Sequence, residues 1–257
     1  MKTLVRTAAL ACMIASPAAA VEIQWTDWQT SATSGTSFSA YGLITSGSES
    51  IDVTYTNPNG VGFYYTGQSS DIDYWRTSGY VRDSAISPYT STGSNGVDNI
   101  PTSTDIIALR YEGTQTLSFS QSVGNLVFAF VSLNGNGYAF DQDFELLSSG
   151  SQNLDGNGTD ACGYWGCGTS SKEVVEVSPG VFEYRLIGTG EPHGALRFSG
   201  SFEEVSWRSL TNEYWNGFTV GVQGTSAQVF PSVPLPAAGW LLIAGLGSLA
   251  AARRRRS

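Results

Sequence analysis

The chain has 257 residues and carries 22 acidic against 13 basic side chains, a formal net charge of −9. This excess of negative charge repels phosphate backbones and anionic lipids, so the composition argues against nucleic-acid binding. A single histidine and three cysteines are too few for a histidine-rich metal centre or for a structural zinc site made of two cysteine pairs.

The amino-terminal segment predicts a secretory signal peptide over residues 1–20. Lys2 and Arg6 precede a short apolar stretch, and the small residues before Ala20 form a cleavage site of the Ala-x-Ala kind. The apolar stretch is too short to span a bilayer stably. Cys12 leaves open a second hypothesis, a lipoprotein signal, although the residues before it match a lipobox only loosely.

Residues 21–230 contain short runs in which apolar and polar residues alternate, as they do in half-buried strands. The run 126–131 is apolar on both faces, which is typical of a central strand. Turn signals rich in Gly, Asn and Pro separate the runs at short intervals. We therefore expect a single all-β domain, an antiparallel β-sandwich with jelly-roll-like connections. The alternating positions are Ile51, Val53 and Tyr55; Leu117 and Phe119; Phe182, Tyr184 and Leu186; Leu196 and Phe198; and Phe218, Val220 and Val222.

Two stretches, residues 66–104 and residues 148–172, do not alternate and are rich in small and polar residues. Irregular segments of this length are uncommon in compact domains unless they bind a ligand or are disordered. We expect both to be surface insertions, and they are the first places in which to look for a functional site.

Cys162 and Cys167 lie close together in the second of these stretches. In an exported chain, two neighbouring cysteines are expected to form a disulfide that closes a small loop. Half of a metal site is the alternative, but a structural zinc ion takes four ligands and the chain has no second cysteine pair. A redox role fits less well, because the pair lacks the two-residue spacing of thioredoxin-like motifs.

Three tryptophans follow a tyrosine directly and lie beside Gly, Asn or Ser: Trp75, Trp165 and Trp215. An exposed aromatic ring can stack on the apolar face of a sugar while neighbouring polar groups bond its hydroxyls. We therefore predict that these three side chains contact a saccharide. The alternative is that the Tyr-Trp pairs close the ends of the core, since large rings are usually mostly buried.

Asp155, Asn157 and Asp160 place oxygen ligands at intervals along a glycine-rich stretch, which is how a protein collects a calcium ion. An EF-hand-like loop would have glycine at its sixth position and glutamate at its twelfth, where this chain has Asp160 and Gly166. The alternative is an acidic turn held by its own hydrogen bonds. We predict no cofactor, with calcium as the second hypothesis.

Glycosidases need two carboxyl groups roughly 5–10 Å apart, and the candidates here are Glu191, Glu203, Glu204 and Glu213. Glu203 and Glu204 would point to opposite faces of a strand, and Glu213 lies in a turn between strands. His193 is predicted to be a surface-loop residue without a catalytic task, because no Gly-x-Ser-x-Gly elbow accompanies it. We predict a protein that is not an enzyme, with a carbohydrate-active hydrolase or lyase as the alternative.

The carboxyl-terminal segment predicts a transmembrane helix with a cytoplasmic basic end. Residues 233–252 carry no charge, and about 20 apolar residues are enough to span a bilayer. Basic flanks remain on the cytoplasmic side, so residues 21–230 are expected to face outward. The segment opens with Val233, Pro234, Leu235, Pro236 and Ala237, and it is followed by Arg253, Arg254, Arg255 and Arg256.

This order of a Pro-rich motif, an apolar helix and an arginine cluster resembles the PEP-CTERM class of bacterial sorting signals in its VPLPA form. Leu235 stands where the founding motif has a glutamate. The resemblance implies a Gram-negative source, retention in the inner membrane and processing near the motif by an exosortase-type enzyme. The processed protein would then reach the cell surface, the outer membrane or the extracellular matrix. An unprocessed membrane anchor is the alternative.

The predicted organisation is a signal peptide (1–20), an exported domain (21–230) and a sorting signal (231–257). The exported domain keeps seven basic against 22 acidic residues, a net charge of −15. A neutral glycan or a divalent cation suits that field better than a polyanion does. We predict a non-enzymatic surface or matrix protein that associates with exopolysaccharide.

Overall fold

The computed structural model describes residues 20–67, 72–77, 81–92, 96–149, 162–163 and 165–231. Among these residues, no helix combines the length and the apolar character that crossing a bilayer requires. Several predicted features lie outside the described residues: positions 1–19 of the signal peptide, the calcium-site residues Asp155, Asn157 and Asp160, and residues 232–257 with the sorting motif, the apolar segment and the arginine cluster.

Thirteen strands of the described chain form a single sheet, and every pairing between these strands is antiparallel. The prediction of an all-β, antiparallel fold is therefore confirmed. Within the described ranges, the only helix is a single turn. The elements are β1 (Gln24–Trp25), β2 (Asp27–Ser34), β3 (Ser37–Ser46), β4 (Glu49–Asn57), β5 (Phe63–Tyr65), β6 (Ile106–Leu109), β7 (Gly113–Val131), β8 (Gly137–Phe140), β9 (Glu145–Ser149), β10 (Gly168–Ser178), β11 (Val181–Gly190), β12 (Gly194–Ser209), β13 (Asn216–Thr225) and α1 (Ser226–Val229).

The sheet turns back on itself through its longest strand, β7. Neighbouring strands follow the order β10-β11-β8-β12-β7-β13-β6-β5, and β4, β3 and β2 extend the sheet from β7. The first half of β7 pairs with β4 and its second half pairs with β13. Register shifts in β12 between Phe198 and Ser201, and a left-handed backbone at Asn125 (φ 51°), mark the bend between the halves. Both ends of β7 lie together, away from the bend, because Glu213 bonds Arg110, which precedes β7, and Asn134, which follows it.

The folded-back sheet encloses a central core of aromatic rings. Phe128 of β7 lies with its ring centroid 5.2 Å from that of Trp207 on β12 and 5.0 Å from that of Phe218 on β13. Tyr55 of β4 reaches the same group, 5.1 Å from Phe218, although β4 and β13 are not paired strands. As the sequence predicts, β4 alternates buried side chains with more exposed ones.

The segment between β5 and β6 packs against the outer face of β7. Its side chains Tyr74, Trp75 and Tyr89 are buried in a second core that includes Val127. The prediction that residues 66–104 form a surface insertion is therefore wrong for much of that segment. The second half of β7 is apolar on both faces, and each of those faces needs apolar cover.

The described chain ends beside the bend of β7. Thr225 caps α1 by accepting a hydrogen bond from the Gln228 backbone N–H (3.3 Å), while Gln228 Oε1 accepts one from the Thr225 N–H (2.8 Å). The Gln228 side-chain amide also donates to the carbonyl of Ser46 (3.1 Å). Gly124 lies so close to Val229 that an added Cβ would come within 2.7 Å of it. These contacts fix the exit of the chain opposite the two ends of β7.

Candidate functional site

Five aromatic rings from separate parts of the chain meet near the ends of β7. We call Phe63, Tyr65, Tyr74, Trp165 and Trp215 the aromatic cluster. The ring of Tyr74 is central, with centroids 5.6 Å from Phe63, 6.0 Å from Trp165 and 5.7 Å from Trp215. The rings of Trp165 and Trp215 lie 5.5 Å apart at an interplanar angle of 79°. This is the edge-to-face arrangement that the ring quadrupoles favour.

The aromatic cluster is only partly closed to solvent. Tyr74 is buried at its base, whereas Trp165 is 41 % exposed. Tyr214, beside the cluster, is 84 % exposed, the largest value among the exposed apolar side chains of the described chain. Between these rings lies a cavity of about 210 Å³. The residues that line it are Gly62, Phe63, Tyr74, Arg110, Trp165, Tyr214 and Trp215.

The structure brings together two of the three tryptophans that the sequence predicts to contact a ligand. Trp165 and Trp215 share the aromatic cluster, but Trp75 is fully buried and lies in the second core. Its indole Nε1 donates to the carbonyl of Asp105 (2.9 Å), and its ring packs edge-on against Tyr89 at 5.2 Å. No ligand can reach Trp75, so its inclusion as a contact residue is corrected. For this Tyr-Trp pair, the core alternative is the correct one.

A disulfide-closed loop presents Trp165 to the cluster. The predicted bond between Cys162 and Cys167 is present, with Cα atoms 4.8 Å apart. Inside the loop, Gly163 pairs with Gly166 in an isolated β-bridge. The loop is short, and it is closed both by the disulfide and by the backbone bridge between Gly163 and Gly166. The backbone of Trp165 therefore has little freedom. Trp165 is therefore the ring that the predicted insertion 148–172 contributes to the aromatic cluster. The prediction that this whole stretch is irregular is wrong at its carboxyl end, because β10 begins at Gly168.

His193 supports this loop from beneath. The prediction of a surface residue is wrong, because the side chain is fully buried. Gly163 lies directly against the imidazole, where an added Cβ would fall 1.2 Å from His193 Cδ2. Burial lowers the pKa of His193 to about 4, because it disfavours the charged ring. Neither ring nitrogen has a hydrogen-bond partner in the described structure, so the neutral ring acts as packing.

Two carboxylates lie in the loops that flank β12, on either side of Asn134. The Asn134 side-chain amide donates to Glu191 Oε1 (2.7 Å), and its backbone N–H donates to Glu213 Oε1 (2.8 Å). Burial raises the pKa of Glu213 to about 7; hydrogen bonds from Asn216 and Asn134 act in the opposite direction, and the charge of Glu191 adds to the rise. Glu213 is therefore partly protonated near neutral pH.

The other predicted acidic pair is not part of this arrangement. Glu203 and Glu204 are exposed side chains on β12, and Glu204 faces Ser118 of β7 across the sheet. The Ser118 hydroxyl donates to Glu204 Oε2 (3.3 Å). Glu203 lies at a register shift of β12 against β7, between Phe202 and Glu204.

No protein-family model, curated protein or solved structure matches this chain. The geometry of its own residues therefore carries the functional conclusion. In the part of the chain that the structure describes, no group of three His, Cys, Asp or Glu side chains is placed to hold a metal ion. Asp155, Asn157 and Asp160 lie outside that part, so calcium binding by these three residues stays a prediction.

Proposed function

We propose that this protein is an exported, non-enzymatic surface or matrix protein that binds extracellular polysaccharide through the aromatic cluster. The observation that supports this most directly is the pair of perpendicular rings, Trp165 and Trp215, beside a cavity of about 210 Å³. Exposed indole rings stack on the apolar faces of sugars. The cavity is smaller than the roughly 300–1,000 Å³ of pockets for drug-sized ligands, which favours a single sugar ring.

The proposed location follows from the two ends of the sequence. The signal peptide at residues 1–20 favours export, and residues 233–256 are similar to PEP-CTERM sorting signals of the VPLPA form. On this proposal, residues 233–252 span the inner membrane as a helix until an exosortase-type enzyme processes the chain near Val233. The protein then reaches the cell surface, the outer membrane or the matrix.

A finer description of the fold belongs to the same proposal. Contacts between the rings of Tyr55 and Phe218 join strands that are not paired, which supports a two-layered sandwich. Long antiparallel strands that pair with different partners along their length support jelly-roll-like connections. Such domains place several loops at one end, as the aromatic cluster requires.

Replacement of Trp165 tests the binding proposal. The purified full-length protein is run through an affinity gel that contains the exopolysaccharide of the producing bacterium. Trp165→Ala is expected to weaken retention about tenfold, which corresponds to roughly 1.4 kcal/mol, because it removes one stacking surface. Its free energy of unfolding is expected to change by less than about 1 kcal/mol, since the ring is partly exposed.

The matched control is Tyr41→Ala. Tyr41 is 45 % exposed and lies on β3, outside the aromatic cluster. Removal of this ring takes away a similar exposed aromatic surface and is expected to leave retention unchanged. Equal retention of the wild type and Trp165→Ala would remove the aromatic cluster from the proposal, and equal loss in both variants would show that exposed rings bind without specificity.

A second candidate function, polysaccharide hydrolysis or lysis, is favoured by one observation. Glu213 is partly protonated near neutral pH and shares Asn134 with Glu191, as a general acid beside a second carboxylate would. The test is the appearance of reducing ends or unsaturated products when the protein is incubated with the same polysaccharide. Retention on the gel without such products would leave the binding function and remove the enzymatic one.

A further inference from the structure

The basic side chains of residues 21–230 are few, and most are neutralised by acidic neighbours. Five of the seven form ion pairs with carboxylates. Arg110 differs from these five, because it forms no ion pair with any carboxylate of the described residues. It also lines the cavity beside the aromatic cluster. The five paired side chains are Arg82, Lys172, Arg185, Arg197 and Arg208.

Other donors occupy the carboxylate of Glu213, a residue that lies beside Arg110. The Glu213 backbone N–H donates to the Arg110 carbonyl (2.9 Å), so the two residues are adjacent. The carboxylate of Glu213, however, accepts hydrogen bonds from the Asn134 N–H and from the Asn216 side-chain amide, both at 2.8 Å. The guanidinium carbon of Arg110 lies 5.9 Å from the ring centroid of Tyr111. This contact orients the side chain and uses none of its hydrogen-bond donors in the guanidinium plane.

A guanidinium beside stacking rings matches one ligand chemistry in particular. Its planar set of N–H donors binds a carboxylate with two parallel hydrogen bonds, while an indole face accepts the apolar face of a sugar ring. A hydroxyl group offers no such pair of acceptors. A phosphate dianion would bring a second negative charge to a domain whose net charge is already −15, with a single unpaired cation in the cavity to meet it.

We propose that the cavity binds a carboxylated sugar, with the sugar ring against Trp165 and Trp215 and the carboxylate paired with Arg110. This inference rests on the proposed polysaccharide binding and names the class of sugar. It also refines the expectation of a neutral glycan. The acidic domain repels a continuous polyanion, but at physiological salt that repulsion is screened beyond about 8 Å. A polymer with one acidic sugar among neutral ones is therefore the preferred ligand.

Two small probes that differ at one carbon test the inference. Methyl glucuronide carries a carboxylate where methyl glucoside carries a hydroxymethyl group. Binding of each to the purified full-length protein is measured by saturation-transfer NMR titration, which detects weak complexes. The wild type is expected to bind the glucuronide about tenfold more tightly than the glucoside. Arg110→Gln is expected to reduce the affinity for the glucuronide to that for the glucoside and to leave the glucoside affinity unchanged.

The matched control is Arg208→Gln, which removes the same charge from an exposed position on β12 that does not line the cavity. It is expected to leave the preference for the glucuronide intact, and unfolding midpoints check that both variants fold. A wild type that binds the glucuronide no more tightly than the glucoside, or an Arg110→Gln variant that keeps the preference, overturns the inference. Neither result touches the proposed function, which fails only if retention on the polysaccharide gel is independent of Trp165.

Discussion

Aromatic rings fill both the central core and the aromatic cluster, but the two regions hold them differently. In the central core, Phe128 and Phe218 are buried and lie on long paired strands. In the aromatic cluster, Trp165 and Trp215 lie in irregular segments at the end of the domain and leave ring surface exposed. Rings of the first kind stabilise the fold. Rings of the second kind are available to a ligand because other rings cover only part of their surface.

The two regions also differ in what fixes them. The central core is held by strand pairing over most of the length of β7, β12 and β13. The position of Trp165 in the aromatic cluster is held by two local contacts: the disulfide around Trp165, and the contact between Gly163 and His193. Damage to the core is therefore expected to unfold the domain, whereas damage to these contacts is expected to affect the cluster first. Three substitutions separate the two effects.

Phe218→Ala is expected to have the largest effect on stability. The ring of Phe218 lies within 5.1 Å of Tyr55, Trp207 and Phe128, and its removal leaves a cavity among them. Large-to-small substitutions of this kind cost about 3–5 kcal/mol. Urea unfolding measures the loss. The comparison variant is Phe182→Ala, whose ring is 43 % exposed on β11 and should cost less than about 1 kcal/mol. Similar losses in both variants would contradict the assignment of Phe218 to the central core.

His193 is expected to make the domain sensitive to acid. Its pKa is about 4 in the folded chain against 6.5 in an unfolded one, because burial disfavours the charged ring. The unfolded chain therefore binds the proton first as the pH falls. Above pH 6.5 the ring is neutral in both states, and His193 does not reduce the free energy of unfolding. This free energy falls as the pH is lowered from 6.5 through about 4. The loss approaches about 3 kcal/mol. Denaturant unfolding at a series of pH values measures it.

His193→Leu provides the control for this pH dependence. Leucine fills a similar volume and does not titrate, so the variant should lose about 3 kcal/mol less than the wild type over the same range. The quantity to compare is the difference in free energy of unfolding between the wild type and the variant at each pH. Glu213 is present in both proteins and changes the free energy of unfolding in the opposite direction as the pH falls. Burial raises the pKa of Glu213 to about 7, so its contribution is unfavourable at high pH and diminishes as the pH falls. Parallel profiles in both proteins would show that His193 does not titrate on unfolding.

Removal of the disulfide is expected to have the smallest effect on stability and a large one on binding. Cys162→Ser combined with Cys167→Ser opens a loop of six residues, and its closure is worth about 2 kcal/mol. Because Trp165 lies inside this loop, the double variant should lose retention on the polysaccharide gel about as much as Trp165→Ala does. Unfolding and retention are measured on the same preparation. Full retention by the double variant would show that the disulfide does not position Trp165.

Much of the strand pattern could be predicted from the sequence, because alternation reflects local geometry. The buried positions of β4 follow from Val53 and Tyr55 with their polar neighbours, and the run 126–131 identifies a central strand. The sequence offered no means of separating Trp75 from Trp165. Both follow a tyrosine and lie near small residues, and only contacts made far along the chain bury the first and expose the second.

The remainder of the site depends on contacts between distant segments. Phe63 lies in β5, Arg110 follows β6 and Trp215 precedes β13, and no local spacing places them around one cavity. The three consecutive aromatic residues Phe63–Tyr65 were the available signal, but such a run by itself predicts only a strand. The burial of His193 could not be predicted from the sequence either. It depends on a distant residue, Gly163, which leaves room for the imidazole because it has no side chain.

The exit of the chain beside the bend of β7 bears on how the molecule would stand on a surface. Residues 123–131 of β7 run from the bend to the opposite end of the domain, a rise of roughly 25 Å along an extended strand. On the proposed function, the chain that follows Val229 would attach the domain to the membrane at the end where β7 bends. Trp165 and Trp215 would then lie at the end that is farther from the membrane. Attachment to the membrane and binding of a polysaccharide would then use opposite ends of the domain. Several anchored molecules would be able to bind the same polysaccharide chain through their aromatic clusters.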